Sequence, residues 1–180
     1  MVAEKPDTLI TWYLEMTDRA QFVPAHLDVP MGVTILEMEN PDIPYYRFLY
    51  DTVGDTFGWR DRRLMTDDEL RAAITRAGVT IYVMYQLGVP CGYVELLAKD
   101  VDDQRVTEIA YLGLRPEYHG RGYGKFLLSF GIAQAWEDGA DRVTLHTCNL
   151  DSESALPNYL KRGFQITRTE EEPMPDRYKT

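Results

Sequence analysis

The chain of 180 residues is poor in cysteine and histidine, with two of the first and three of the second. Cys91 and Cys148 fall in separate strand-like runs, and nothing near them has the spacing of a zinc or redox motif, so no metal is expected and a reducing compartment is implied. Basic residues are also scarce: 19 Lys and Arg against 29 Asp and Glu give a formal net charge of −10. Lys and Arg supply most of the affinity for phosphate backbones, so neither a nucleic acid nor an anionic membrane is an expected partner. A cationic acceptor such as an amine would be attracted, although an acidic surface also simply keeps a protein soluble. No apolar run approaches the roughly 18 residues of a membrane span. Met1 to Asp7 lacks the basic-then-apolar pattern of a secretory signal, and the expected location is cytoplasmic. Repeats, low-complexity segments and an interdomain linker are missing too, which predicts a single domain over 1–180.

What the chain does contain is an ordered series of β-like and helix-like segments. Thr8 to Met16 alternates, with Ile10, Trp12 and Leu14 on one side and Thr11, Tyr13 and Glu15 on the other, and Val33 to Met38 is a second β-like run. Between them, Thr17 to Met31 carries Pro24 and Pro30 and reads as a loop. Asp42-Ile43-Pro44 offers an N-cap and a first-turn proline for an aromatic helix through Tyr45 to Tyr50. Thr66-Asp67-Asp68-Glu69 has the capping-box spacing and predicts an amphipathic helix through Leu70, Ile74 and Ala77, closed by Gly78.

Three β-rich runs follow, 79–85, 91–97 and 105–114, separated by Leu87-Gly88-Val89-Pro90 and by the acidic stretch 100–103, as in an antiparallel meander. A buried helix is predicted over 122–138, a strand over 143–147, a short helix over 154–162 stopped by Gly163, and a last strand over 164–169. The passage from 114 through a helix to 143 predicts one crossover connection.

The most informative stretch is His119-Gly120-Arg121-Gly122-Tyr123-Gly124, which joins a strand-like run to a helix-like run. Backbone N–H groups at such a helix start can point at an anion, and a phosphorylated ligand is the expectation. A dinucleotide fingerprint needs Gly-x-Gly-x-x-Gly, and here the third glycine comes one residue early; a Walker loop fails because no Gly-Lys-Ser/Thr follows. A glycine-rich turn without a ligand stays open from this segment alone.

Taken with a second signature, the loop resembles that of the GNAT superfamily of N-acetyltransferases. The superfamily's phosphate loop runs Gln/Arg-x-x-Gly-x-Gly/Ala, and residues 119–124 match it except that His119 replaces the usual Gln or Arg. The second signature has an Asn at a strand end, then Ala, then Tyr shortly before Gly-Phe, and Asn149, Ala155, Tyr159, Gly163 and Phe164 follow that order. The resemblance covers 79–169 well, as an acetyl-CoA-binding core, and is weak over 1–78, where acceptor-side elements differ between members; 170–180 reads as a charged tail.

The resemblance implies an α/β (α+β) fold: a mixed, mostly antiparallel twisted sheet of about six or seven strands, helices on both faces, and a splay between the family's fourth and fifth strands, here 105–114 and 143–147. It implies acetyl-CoA as co-substrate, with amides of Gly120, Arg121, Gly122, Tyr123, Gly124 and Lys125 on its pyrophosphate, and His119 and Asn149 close by. The pantetheine arm would pair like a strand with Leu112, Gly113 and Leu114. Gly113 fits either a bulge or a close approach.

By the same resemblance Tyr159 is the candidate general acid for the departing thiolate, against a plain core tyrosine. Glu108 stands where several members place a general base. An ammonium near pKa 10.4 needs a carboxylate with a raised pKa, or a water relay, so an ordinary strand glutamate stays open. His146 and Cys148 share a strand face with Thr144, and no third group completes a nucleophilic triad, which favours direct attack by a bound amine. Tyr46, Tyr50, Phe57 and Trp59 are candidate walls of an acceptor pocket, with Tyr50 and Trp59 nominated for substrate contact. Arg60-Asp61-Arg62-Arg63 reads as a solvated turn or as a site for an acidic substrate group. The expected activity is transfer of acetyl to a primary amine of a small molecule or peptide, in a ternary complex. A non-catalytic acyl-CoA-binding module and, more distantly, a nucleotide-binding protein are the alternatives, and a homodimer is left open.

Overall fold

The computed structural model describes residues 6–25 and 31–179. In chain order the elements are β1 (Thr8–Met16), β2 (Val33–Glu37), α1 (Ile43–Gly54), α2 (Asp67–Thr75), β3 (Val79–Gln86), β4 (Val89–Val101), β5 (Gln104–Leu114), α3 (Tyr123–Glu137), β6 (Arg142–Cys148), α4 (Ala155–Lys161), β7 (Gln165–Pro173) and α5 (Asp176–Lys179). Arg19–Gln21 makes a single 3-10 turn in the segment read as loop, and the rest of that reading over 26–30 lies outside the described residues.

Seven strands form one sheet in the order β2-β3-β4-β5-β6-β1-β7, antiparallel except where β6 runs parallel to β5. Two-residue turns close the meander: Leu87-Gly88 at φ 50° and 82°, and Asp102-Asp103 at φ 50° and 60°. Left-handed turns of this kind match the twist of the flanking strands, so β4 begins at Val89 and both hairpins run longer than the sequence suggests. The N-terminal strand β1 is inserted between β6 and β7, pairing Tyr13 with His146 on one side and with Arg168 on the other. β7 runs on to Pro173, into the segment read as tail.

Alternation along the central strands feeds two cores. Ile81, Val83 and Tyr93 face α1 and α2 through Tyr46, Leu49, Tyr50, Val53, Leu70 and Ile74. Tyr82, Met84, Val94 and Leu96 face α3 and α4 through Leu127, Leu128, Ile132, Ala135 and Tyr159. Helices therefore cover both faces of the sheet. Caps fix where the first two begin: Asp42 accepts from Tyr45 N at 2.8 Å, and Thr66 and Glu69 form a reciprocal capping box. α2 stops at Thr75, short of Gly78, because Arg76 is already extended.

The bulge of β5 falls at Ala110, between the pairs Glu95 with Tyr111 and Leu96 with Ile109. Gly113 serves a close approach instead. A Cβ placed there would meet Val53 Cγ1 at 2.4 Å, so the glycine lets the end of α1 lie against the strand.

Candidate active site

β5 and β6 share only three register pairs, Val106 with Arg142, Thr107 with Val143 and Glu108 with Thr144. Past Glu108 they part, β5 staying with β4 to Leu114 and β6 staying with β1 to Cys148. The gap opens a cavity of about 830 Å³, lined by β5 from Glu108 to Leu114 and by His146, Thr147 and Cys148 of β6. That volume suits a cofactor-sized ligand.

At one end lies the loop between β5 and α3. Gly120 and Gly122 hold φ of 75° and 80°, a left-handed backbone that favours glycine. Gly122 is the N-cap of α3 and makes no side-chain cap bond, so no side chain covers the first-turn amides and the positive end of the helix dipole. Gly120, Gly122, Gly124 and Lys125 line the cavity, as do Lys161 and Arg162 of the α4 end, which add positive charge. His119 also lines it; its Nε2 donates to Leu114 O at 2.9 Å and its ring lies 6.2 Å from Phe57, so the irregular residue of the motif pins the loop to the end of β5.

Three donor-side candidates point elsewhere. Arg121 donates to Glu117 O at 2.9 Å and to Gln86 Oε1 at 3.3 Å. Tyr123 is buried and its hydroxyl accepts from Gln86 Nε2 at 2.7 Å. Their side chains hold the loop, and any ligand contact from these two positions is left to the backbone. Asn149 is committed to β1, accepting from Ile10 N at 3.0 Å and donating to Thr8 O at 2.9 Å, and does not line the cavity.

In the middle, Leu112, Gly113 and Leu114 present the parted edge of β5, and Tyr159 faces them from α4. Tyr159 is 9% exposed and packs edge-on against Phe164. Burial, with Asp151 and Cys148 nearby, pushes its phenol well above the ordinary value, so it carries its proton at neutral pH. Asp151 accepts from Thr147 Oγ1 at 2.6 Å and from Cys148 N at 3.1 Å, which fixes the turn leading to α4. Burial first and the Asp151 charge second raise the Cys148 thiol, a setting that suppresses the thiolate.

Across the cavity, Glu108 Oε1 lies 3.4 Å from His146 Nδ1 and Oε2 lies 3.8 Å from Lys99 Nζ. The imidazole beside it is the main cause holding the Glu108 carboxyl below its ordinary range, and the same contact lifts His146 above its own. Burial opposes both shifts.

Another wall is aromatic. Trp59 packs 5.3 Å from both Tyr50 and Tyr111, and Phe57 completes the wall. Tyr46 does not belong to it: fully buried, it donates its hydroxyl to Glu95 Oε2 at 2.6 Å. Nor is 60–63 a solvated turn. Arg62 is buried and donates to Glu95 Oε1 at 2.8 Å, while Arg63 reaches back to Asp51 at 2.6 Å and Asp55 at 2.8 Å. Arg60, Asp61 and Arg62 line the cavity. So does Tyr178 of α5, whose neighbour Arg177 has Nε 3.9 Å from Asp61 Oδ1. His146, Arg162 and Tyr178 have no local sequence signal, since each is placed by a pairing or packing partner far away in the chain.

The model of the acetyltransferase (GNAT) family matches residues 46–164, more than half of the chain. The chain belongs to this family. A mycothiol acetyltransferase of Corynebacterium aurimucosum is 39% identical over 65 residues, covering 36% of this chain and 21% of that protein. The GNAT chain thus spans only part of the length of that curated relative. Among solved structures, an aminoglycoside acetyltransferase from an uncultured soil metagenomic sample aligns with TM-score 0.63 at 15% identity, over 75% of this chain and 90% of that one. A GCN5-related N-acetyltransferase from Kribbella flavida aligns with TM-score 0.61 at 19% identity, over 89% of this chain and 55% of that one. These likenesses share the fold. Among the described residues of this GNAT protein no helix is long and apolar enough to cross a membrane, and no group of three His, Cys, Asp or Glu side chains could hold a metal ion.

Proposed function

We propose that the chain is an acetyl-CoA-dependent N-acetyltransferase that moves the acetyl group to a primary amine by direct attack in a ternary complex. The carrying observation is that one cavity joins three things: the uncapped start of α3, the parted edge of β5 with Tyr159 opposite, and an aromatic chamber beside Glu108 and His146. A donor and an acceptor can meet there. Membership of the family supports acetyl-CoA as the donor. Relatives named for mycothiol and for an aminoglycoside support a small-molecule acceptor. Two free cysteines fit a reducing, cytoplasmic setting.

The pyrophosphate of CoA would rest on the amides of 120–125, and its arm would run along Leu112 to Leu114. An amide of the free β5 edge would hold the thioester oxygen as charge develops on it. Tyr159 gives its proton to the departing thiolate. A buried phenol is a reluctant acid, but the same dry setting raises the basicity of the thiolate, so the two stay matched. The acceptor ammonium loses its proton at the Glu108 side, where the carboxylate is the group nominated by the resemblance.

The test is CoA thiol release from acetyl-CoA with a panel of amines, read with a thiol reagent. Release with at least one amine is expected. Tight acetyl-CoA binding with no release for any amine would overturn the reading in favour of an acyl-CoA-binding module.

A further inference from the structure

Proton removal can be assigned more closely, and the assignment rests on the amine-acetylation reading above. We propose that His146 takes the proton from the acceptor ammonium, and that Glu108 is a positioning residue that fixes its imidazole. Three geometric facts carry it. Both side chains line the cavity. Glu108 Oε1 is 3.4 Å from His146 Nδ1, an ion-pair contact somewhat longer than an ordinary hydrogen bond. The Tyr13 ring, 6.0 Å away on the neighbouring strand β1, packs against the imidazole.

A carboxylate facing Nδ1 selects the tautomer with its proton there and leaves the Nε2 lone pair as acceptor. Glu108 itself is badly placed to be the base. His146, Lys99 and Arg76 all favour its ionised form, and a carboxylate held so low has little affinity for an ammonium proton near pKa 10.4. An imidazole raised above its ordinary value by that carboxylate is far better matched. The other charges bearing on it are Asp151 beyond β6 and Asp61 of the α1–α2 connection, both acidic, while Glu15 and Arg142 nearby satisfy each other at 3.4 Å. Asp151 and Asp61 therefore add to Glu108 in favouring imidazolium over neutral imidazole, and their negative charge draws a cationic acceptor toward the site.

The step balances. The ammonium gives one proton to His146 Nε2, and the free amine attacks the thioester carbon. The C–N bond forms and the C–S bond breaks; the nitrogen sheds its second proton to solvent while Tyr159 protonates sulfur and regains a proton from solvent. His146 then releases its proton, so one proton leaves per turnover.

The experiment uses the full chain and an amine that the wild type acetylates; if no amine turns over, the function fails rather than this assignment. kcat is followed from pH 5 to 9 for wild type, His146→Gln and Glu108→Gln, and the His146 ring C–H is titrated by NMR. Wild type should show an acid limb whose midpoint coincides with the NMR titration above 6.5. Glu108→Gln should move both downward together. His146→Gln should lose the plateau, fall about 10²–10³-fold at neutral pH and keep its KM for acetyl-CoA. An unchanged limb in His146→Gln, or a limb abolished by Glu108→Gln while His146 still titrates, would overturn the assignment. Thermal stabilisation of each variant by CoA serves as the folding control.

Discussion

The Arg62 guanidinium donates to Glu95 Oε1 at 2.8 Å with both side chains sealed from solvent, at 8% and 1% exposure. Glu95 also accepts from Tyr46, and the guanidinium lies over the Tyr111 ring at 5.2 Å. Arg62 thus reaches the cavity beside the aromatic wall, while Glu95 does not line it. Burial alone would neutralise Glu95; the guanidinium and the Tyr46 hydroxyl oppose that. Removing one partner strands the other charge, so Glu95→Met and Arg62→Met should each cost about 3–5 kcal/mol in urea unfolding, whereas the two together should recover most of it. Additive losses in that cycle would show that the pair does not act as a unit.

Tyr159→Phe removes only a hydroxyl from a buried ring that keeps its contact with Phe164. Stability should change little, and CoA binding by calorimetry should stay within about twofold, while kcat drops on the order of 10²-fold. A variant with full turnover would make Tyr159 a packing residue.

How much of this was legible beforehand follows from the range over which each feature is encoded. The Asp42 and Thr66 caps, the glycine-rich loop at the start of α3 and the alternation of the central strands depend on neighbours a few residues away, and they could be read. The insertion of β1 between β6 and β7 depends on pairings more than a hundred residues apart, such as Tyr13 with His146, and left no local trace. Two site residues depend on distant pairings of this kind. Asn149 matched a family position, yet its amide is spent on Thr8 and Ile10 of the inserted strand. His146 read as unaccompanied because Glu108 reaches it only through the parallel register of β5 and β6. Arg62, in a run of charges, looked solvated; its partner Glu95 is the one charged residue within the run 91–98 of β4.

The Glu108–His146 contact also predicts a pH window in stability. A carboxyl lowered on folding stabilises above its unfolded pKa near 4.5, and that contribution is lost as pH falls through the folded value. An imidazole raised on folding stabilises fully below 6.5, and its share is lost as pH rises through the folded value. The pair is therefore strongest between about 4.5 and 6.5. With His146 about half exposed, solvent screening keeps the gain under about 1 kcal/mol. The melting-temperature gap between wild type and His146→Gln should be widest near pH 5.5 and close by pH 8 to 9. A gap independent of pH would mean that the imidazole stabilises by packing on Tyr13 alone.

Gly113→Ala tests how tightly the acceptor wall is held against the donor edge. The added methyl would press on Val53, which is fully buried and, being β-branched, has few rotamers to yield with. Overpacking of this kind costs about 1–3 kcal/mol. Because Gly113 lies on the free edge of β5, the strain should also raise KM for acetyl-CoA. Val53→Ala in the same chain should relieve both effects, and failure of that rescue would place the cause in the backbone rather than the side-chain contact.

Tyr178 of the C-terminal turn lines the cavity, so cutting the turn tests whether it serves the proposed acceptor alone. Met174 is 4% exposed and its N–H donates to Asp7 O at 2.8 Å, which anchors the chain just before α5. A stop after Pro175 keeps that anchor and β7, but removes Tyr178 from the cavity wall and Arg177 from Asp61. Loss of Arg177 leaves the Asp61 carboxylate free to face the acceptor, and loss of Tyr178 widens the chamber. Small amines should then bind more weakly, with KM raised severalfold, while bulkier cationic amines lose less or gain. KM for acetyl-CoA should not move, because the residues proposed above to hold it, 112–125, are untouched. If both Michaelis constants rise together, the turn supports the whole fold; if neither does, Tyr178 stands beside the acceptor without meeting it.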